Sequence, residues 1–357
     1  MVPSPIPMVD LSARHRRLAD ATEAAVLEVL RSGRWVGGPV VQDCETRGAS
    51  LFGRRYGVGV NSGTDALILA LLALGVQPGD EVIVPALSFF ATAGAVARVG
   101  ARPVVADVTA DLPLLCPQAA QRAVGPRTRA AIPVHLFGMR CPDPGLSVPL
   151  VEDAAQAVGW QAPARLGVLT AASFYPTKTL GAAGDAGLVA TDDPDMADTL
   201  RGLSNHGGVP GQPHMHQRLA GHVGMNSRLD AIQAAVLGVH MADLDRRITR
   251  RRTVRAAYDA ALPGNLSAVA RAPGDPIHHY ILRSPVRDRL AAWLGEHGVS
   301  TAVYYPRPLS AQPALQPQAP CPNAQRWCDE TLSLPCHGEL SDDQVERVCS
   351  TLREFRP

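Results

Sequence analysis

From Tyr56 onward the chain repeats one pattern: a short apolar run of β-forming residues, then a helical stretch. "YGVGVNS" leads into "TDALILALLALGV", and "DEVIVPA" into "FFATAGAVARVG". "RPVVADV", "RAAIPVHLFG", "VPLVEDAAQ", "AASFYPT" and "GLVATDD" extend the series, each closed by polar, Gly or Pro residues. Such alternation predicts an α/β fold built on a mostly parallel sheet with crossover helices. Ligands of these sheets sit at the carboxyl ends of the strands. The residues just after each run are therefore the candidates for chemistry.

After about residue 225 the character changes. One long Arg-rich helix is expected over "SRLDAIQAAVLGVHMADLDRRITRRRTVRAAYDAAL", ended by "PGN". "HHYILRSPV", "RDRLAAWLGEHGV" and "DDQVERVCSTLREF" read as strand, helix and helix of a smaller α+β domain. The expected division is a large domain over 1–240, with an N-terminal arm, and a small C-terminal domain over 241–357. Between the small-domain elements, residues 304–324 carry six prolines and read as a loop with little regular structure.

Bulk properties exclude several classes. A net charge of +1 gives no support for nucleic acid or an anionic membrane as the main partner. "MVPSPIPMVDL" has no basic stretch before an apolar core, so it is not a signal peptide. The longest apolar run, residues 66–76, falls short of the roughly 20 residues a membrane helix needs. Seven scattered cysteines without a CxxC fit free thiols in a reducing compartment. A soluble cytoplasmic protein is expected.

Lys178, in "SFYPTK", is the only lysine among 34 basic residues. Arginine does not lose its proton in proteins, whereas a desolvated lysine amine can, and can then attack a carbonyl. A position that must form a Schiff base resists replacement by arginine; an unreplaced surface lysine is the alternative. "VEDAAQ" places Asp153 and Gln156 at the end of the apolar run "VPLV". An acid buried there has no charge partner in sequence. A pyridinium nitrogen would supply one, or Asp153 is a helix N-cap. "NSGTDAL" puts Gly63 and Thr64 where a strand opens into a helix. Backbone N–H groups and a hydroxyl there make a phosphate cradle, or an ordinary turn. The motif lacks the lysine of a P-loop, which disfavours ATP.

A deprotonatable lysine, an acid and a phosphate cradle at strand ends of one α/β domain together point to pyridoxal phosphate (PLP). The chain also resembles the DegT/DnrJ/EryC1/StrS sugar aminotransferases. The blocks that carry the resemblance include "SGRWVGGPVV", "YGVGVNSGTDAL", "PGDEVIVPALSFFATAGAV", "PVHLFG", "VEDAAQAVG", "SFYPTKTLGAAGDAG", "GMNSRLDAIQAAVL" and "VYYPRPLSAQPA". The resemblance implies the fold-type I PLP transferase architecture, a mixed, mostly parallel sheet sandwiched by helices, and implies roles for particular residues. Lys178 would hold PLP as a Schiff base and then shuttle the proton. Asp153 would bond the ring nitrogen and Gln156 the phenolic oxygen. Gly63, Thr64 and Ser173 would hold the phosphate, with Phe89 stacked on the ring. Asn226 would reach the phosphate of a neighbouring subunit, making the unit a homodimer with shared sites. Trp35, Arg228, Tyr304 and Tyr305 would lie near substrate. The implied activity moves an amino group from an amino acid, L-glutamate, to a nucleotide-linked keto-sugar. It would serve amino-sugar biosynthesis for a cell-surface polysaccharide or secondary metabolite.

The chain departs from the family pattern where "HYP" reads "YYP" at Tyr304, "PLH" reads "PLS" at Ser310, and "GDGG" reads "GDAG" at Ala186. The first two fall in a substrate-facing loop. A sugar dehydratase of the same family would carry His at position 178. A cysteine desulfurase would need a reactive thiol, for which Cys321 or Cys336 would serve. The arginine run 246–255 is expected to form a solvated or dimer-edge face rather than a DNA-binding one. His214, His216, His278 and His279 lack a third ligand at a recognisable spacing, and no metal site is expected.

Overall fold

The computed structural model describes residues 5–160, 165–208, 223–264 and 266–356. The chain begins with α1 (Leu11–Ser32), whose N-cap Asp10 accepts from the Ala13 N–H, and α2 (Pro39–Leu51). The alternating region then gives β1 (Tyr56–Val60), α3 (Gly63–Ala73), β2 (Glu81–Pro85), α4 (Ala91–Arg98) and β3 (Arg102–Ala106). It continues with α5 (Pro117–Arg122), β4 (Thr128–Ala131), β5 (Val151–Asp153), β6 (Leu169–Ser173), β7 (Gly187–Thr191) and α6 (Pro194–Ser204).

Parallel pairing joins β3–β2–β4 and β5–β6, and parallel bridges at Ala131–Leu150 and Val134–Asp153 connect the two groups. β7 lies antiparallel between β6 and β1. The order β3-β2-β4-β5-β6-β7-β1 thus has six strands running one way, with their carboxyl ends on one edge. The sheet is buried on both faces. Leu169, Ala171 and Val189 pack with α3 and α4, whereas their neighbours Ala172, Leu188 and Ala190 pack with α1, α2 and a later helix over Ala231–Ala242. Alternation of side chains across each strand produces this two-sided core.

The long helix expected after residue 225 is instead two helices, α7 (Ala231–Ala242) and α8 (Leu244–Ala261). They meet at Asp243 (φ −95°, ψ −1°), whose carboxylate accepts from Arg17 Nη1 at 2.6 Å and Arg246 Nε at 2.9 Å. A residue anchored from outside the helix ends one helical run and starts the next. The arginine run also departs from expectation. Arg247 and Arg251 are 2% and 3% exposed, because α8 turns that side inward against Ile277, His278 and Cys336, whose carbonyls accept from Arg251 Nη1.

Beyond α8 come β8 (Ser267–Ala268), β9 (Tyr280–Arg283), α9 (Arg287–Glu296), α10 (Pro322–Glu330), β10 (Thr331–Leu334) and α11 (Asp342–Glu354). The three strands form an antiparallel sheet in the order β10-β9-β8. A capping box of Ser341 and Gln344 starts α11. Tyr258, Tyr280, Leu290, Leu332 and Leu352 centre a separate apolar cluster.

The proline-rich segment is irregular apart from one 3₁₀ turn at Leu309–Ala311, but the loop ends at Cys321, since Pro322, suited to a first helical turn, opens α10; it is firmly tied. The Gln318 side-chain amide accepts from Val105 N–H and donates to the Pro103 carbonyl, satisfying the free edge of β3. Leu309 N–H donates to Ala86 O at 2.8 Å, and Asp107 accepts from the N–H groups of Asn323 and Ala324. Among the described residues, no helix is long and apolar enough to cross a membrane.

Candidate active site

Lys178 follows β6 in a tight turn, its N–H donating to Tyr175 O at 2.8 Å and Ala182 N–H donating to Phe174 O at 2.7 Å. Burial lowers its pKa from the usual lysine value, opposed by the charge of Asp153. Asp153 ends β5 on the neighbouring strand and is 6% exposed. It accepts from Ala155 N–H at 3.1 Å and from the Thr92 hydroxyl at 2.9 Å. It caps no helix. Burial pushes its carboxyl pKa up, and these two donors together with Lys178 pull it down. A buried carboxylate within electrostatic reach of a buried amine is an arrangement that a cationic ring nitrogen would complete.

The cradle is built by close backbone approach. A Cβ on Gly63 would stand 2.6 Å from the Ser173 Cβ, and one on Gly187 would stand 2.5 Å from the Ser62 carbonyl carbon. Glycine at both positions lets the first turn of α3 press against the ends of β6 and β7. Ser62 caps α3 by accepting from Asp65 N–H at 3.1 Å. The N–H groups of Gly63 and Thr64 belong to that first turn, where helix geometry provides no intrahelical acceptor. With the Ser173 hydroxyl beside them, they suit a phosphate dianion.

Gln156 Oε1 accepts from the Phe137 N–H at 2.7 Å, and its Nε2 donates to the Tyr305 hydroxyl at 3.2 Å. The Tyr305 ring lies 6.0 Å from Phe89 and 5.8 Å from Tyr304. Tyr304 stacks on His279 at 4.4 Å. Phe89 is 59% exposed at the mouth of this group. The structure therefore brings Lys178, Asp153, Gln156, Ser173, Gly63, Thr64, Phe89, Tyr304 and Tyr305 to the carboxyl edge of the sheet.

Trp35, Asn226 and Arg228 are exposed and gather elsewhere. Arg228 donates to Asn205 Oδ1 at 3.0 Å, Asn226 bridges Asn205, and Trp35 O accepts from Ala231 N–H. Arg228 lines a cavity of about 630 Å³ together with Val36, Gly37 and Asn205, and none of the Lys178 group is part of its wall.

Sequence reasoning missed the supports. Thr92 stands three residues after Phe89 in the same block, with Ser88 2.7 Å from its hydroxyl. Ser227, between Asn226 and Arg228, accepts from Asn61 N–H at 3.0 Å and donates to Asp65 at 2.7 Å, fixing the cradle turn. Glu152 is 1% exposed and bonds Arg54 at 2.7 Å and His135 at 3.0 Å, directly behind Asp153. His278 and His279 lie close enough for the Lys178 charge to help lower their pKa values, after burial. Their only sequence signal was the His-His pair.

Cys321 and Cys336 are buried, and burial raises both thiols to about 11, the reverse of a reactive cysteine. Among the described residues no three His, Cys, Asp or Glu side chains gather as a metal would require. His214 and His216 lie outside the described residues.

A mixed α/β sheet with a buried lysine, a buried carboxylate and a helix N-terminus opened by glycine on one edge has the architecture of a fold-type I PLP transferase. Residues 17–353 match the DegT/DnrJ/EryC1/StrS aminotransferase family, and the chain belongs to it. It is 40% identical to dTDP-3-amino-3,4,6-trideoxy-alpha-D-glucose transaminase of Streptomyces venezuelae, over 98% of this chain and 96% of that one. It is 37% identical to a pleiotropic regulatory protein of Geobacillus stearothermophilus, over 98% of each. The crystal structure of S. venezuelae DesV in complex with a ketimine intermediate superposes at TM-score 0.91, with 38% identity and 98% coverage of each chain.

Proposed function

We infer that the protein is a PLP-dependent aminotransferase that moves the amino group of an amino acid, L-glutamate, onto a nucleotide-linked keto-sugar. The observation that carries this reading is the desolvated Lys178 amine within electrostatic reach of Asp153 at the open edge of the sheet. Proteins of the same fold are known with PLP or its amine form bound, and relatives act on dTDP- and UDP-linked sugars. The intact lysine favours this reading over a regulator that merely kept the fold.

When bound, PLP supplies the electron sink that makes the Cα hydrogen of the amino donor acidic. Lys178 would anchor it and, once freed, carry that proton at Nζ from the donor Cα to the cofactor in the first half-reaction and in the opposite direction in the second. Desolvation suits both tasks, because it favours the neutral amine. Asp153, held by Thr92 and Ala155, would face the ring nitrogen and keep it protonated. Gln156 would reach the phenolic oxygen, and Phe89 would cover the ring. Gly63, Thr64 and Ser173 would bind the phosphate. Tyr304 and Tyr305 would line the path of the sugar, with Tyr304 held by its stack on His279.

The exposed set of Trp35, Asn226 and Arg228 supports a homodimer in which these residues complete the partner's site. Free cysteines, six of the seven buried, support a reducing cytoplasm. We also propose that the chain divides near residue 240 into a large cofactor domain and a small C-terminal domain.

Borohydride reduction followed by peptide mapping tests the core of this reading. The expected adduct lies on Lys178; no adduct, or one elsewhere, would overturn it. Lys178→Arg keeps the charge and is expected to lower turnover by at least about a thousandfold, since arginine cannot lose its proton. A panel of nucleotide-linked keto-sugars with glutamate then identifies the acceptor.

A further inference from the structure

The turn that carries Lys178 is held by side chains from three helices. Arg14 of α1 donates from Nη2 to the Pro176 carbonyl, and His240 of α7 donates from Nδ1 to the Gly181 carbonyl at 2.6 Å. Arg247 of α8 brings Nη2 to 3.5 Å from the Lys178 carbonyl, the outer limit of a hydrogen bond. The chain doubles back tightly here. A Cβ on Gly181 would stand 2.4 Å from the Pro176 carbonyl oxygen and 2.7 Å from that of Tyr175. Among the described residues, main-chain donors of the turn reach the carbonyls of Tyr175 and Phe174, so those of Pro176, Lys178 and Gly181 depend on the three side chains.

Arg14 is the least expected of the three. It is 4% exposed, its Nη1 is buried without a hydrogen-bond partner, and among the described residues it makes no ion pair. Burial lowers its pKa and the charge of Glu339 opposes this, with Arg251 and Arg17 adding to burial and Asp243 to Glu339. Glu339 itself is engaged by others, 3.3 Å from Arg246, 3.5 Å from Arg17 and 3.8 Å from Arg247. A guanidinium desolvated for one carbonyl weakens a fold rather than strengthening it. The contribution of Arg14 therefore lies in what it holds, the Pro176 carbonyl two residues before Lys178.

We propose that Arg14 is a positioning residue for Lys178. By fixing the Pro176 carbonyl it keeps the lysine turn closed, so that the amine stays shielded from water at the carboxyl edge of the sheet. Without that bond the turn opens and water reaches the amine. The other groups in electrostatic reach of Lys178 are Asp153, and His278 and His279 just before β9. The inference rests on the reading of Lys178 as the reactive amine.

Because Lys178 is the only lysine of the chain, an amine reagent reports on it directly. Reductive methylation of the full chain, freed of any cofactor, with formaldehyde and cyanoborohydride is followed across pH. Peptide mapping separates Lys178 from the N-terminal amine. Burial is expected to hold the labelling midpoint of the wild type below the ordinary 10.5. In Arg14→Met, similar in length but unable to donate, the midpoint should rise by about one pH unit, since entering water and a lost cation both favour the charged amine. Arg14→Lys, which still donates to Pro176, should stay within about 0.3 unit of the wild type. Arg14→Gln sheds the charge and the reach; it should follow Arg14→Met, and decides the matter where that variant does not fold. A merely structural role would lower Tm and leave the midpoint of the folded protein unmoved, which would overturn the proposal, as would an equal rise in Arg14→Lys. No PLP enters the measurement, so a missing borohydride adduct would sink the proposed function alone, and an unmoved midpoint this inference alone.

Discussion

The Thr92 hydroxyl donates to Asp153 Oδ2 at 2.9 Å inside the core, linking the start of α4 to the end of β5 across 61 residues of sequence. Ser88 donates in turn to Thr92 at 2.7 Å. Burial alone pushes the Asp153 carboxyl up, so each donor to it matters. Thr92→Val removes a hydrogen bond to a charged group, which contributes about 1.5–3 kcal/mol. It is expected to lower kcat by roughly tenfold and to move the acid limb of the pH–rate profile upward, while Thr92→Ser retains both. An unmoved acid limb would remove Thr92 from this role.

Gly63→Ala tests the cradle. Its methyl would stand 2.6 Å from the Ser173 Cβ, so α3 or the end of β6 must shift. Overpacking of this kind costs about 1–3 kcal/mol. Titration of the apoenzyme with PLP should show affinity weakened by about tenfold or more. Tight binding with unaltered affinity would place the phosphate elsewhere.

Glu152→Gln tests the network behind Asp153. Burial raises the Glu152 carboxyl, but His135, the Gly167 N–H and Arg54 outweigh it and hold the pKa at about 2. A carboxyl depressed in the folded state stabilises above its ordinary pKa of 4.5, and that contribution is lost as pH falls toward 2. The variant leaves the buried Arg54 with a neutral group on one side and Asp192, 3.1 Å away, as its remaining carboxylate. Urea unfolding at pH 7 should show a loss of about 3 kcal/mol, with a flatter decline in stability between pH 4.5 and 3.

His240 governs a higher pH window. Burial holds its pKa at about 4 against an ordinary 6.5, helped by Arg14 and Arg247 and opposed by the Gly181 carbonyl. Between those values the unfolded chain binds the extra proton, so stability falls as pH drops from 6.5 to 4. His240→Asn keeps a donor for Gly181 and cannot titrate. Its unfolding midpoint should vary less over this range than that of the unsubstituted protein, and identical slopes would refute the assignment.

The clustering of much of the candidate site was legible because its signals are local. Lys178, Asp153, Ser173 and the Gly63–Thr64 turn each follow a short apolar run, and strand ends on one edge of a parallel sheet come together in space. The supports were not legible in this way. Nothing near Thr92 in sequence indicates that its hydroxyl meets Asp153, and the His278–His279 pair read only as a weak metal signal. The arginine run read as a solvated face because six arginines in one helix ordinarily are. Arg247 and Arg251 turn inward only because carbonyls at 277, 278 and 336 converge on that side of α8.

The sequence by itself determined the order of strands and helices, and the chemistry placed after each strand. Those follow from hydrophobic period and backbone preference, which act over a few residues. Tertiary structure alone decided which far-separated groups meet. It set Thr92 on Asp153, Glu152 between Arg54 and His135, and three arginines around Glu339. Sheet order and helix packing set these meetings, and desolvation then changes what the same side chains do.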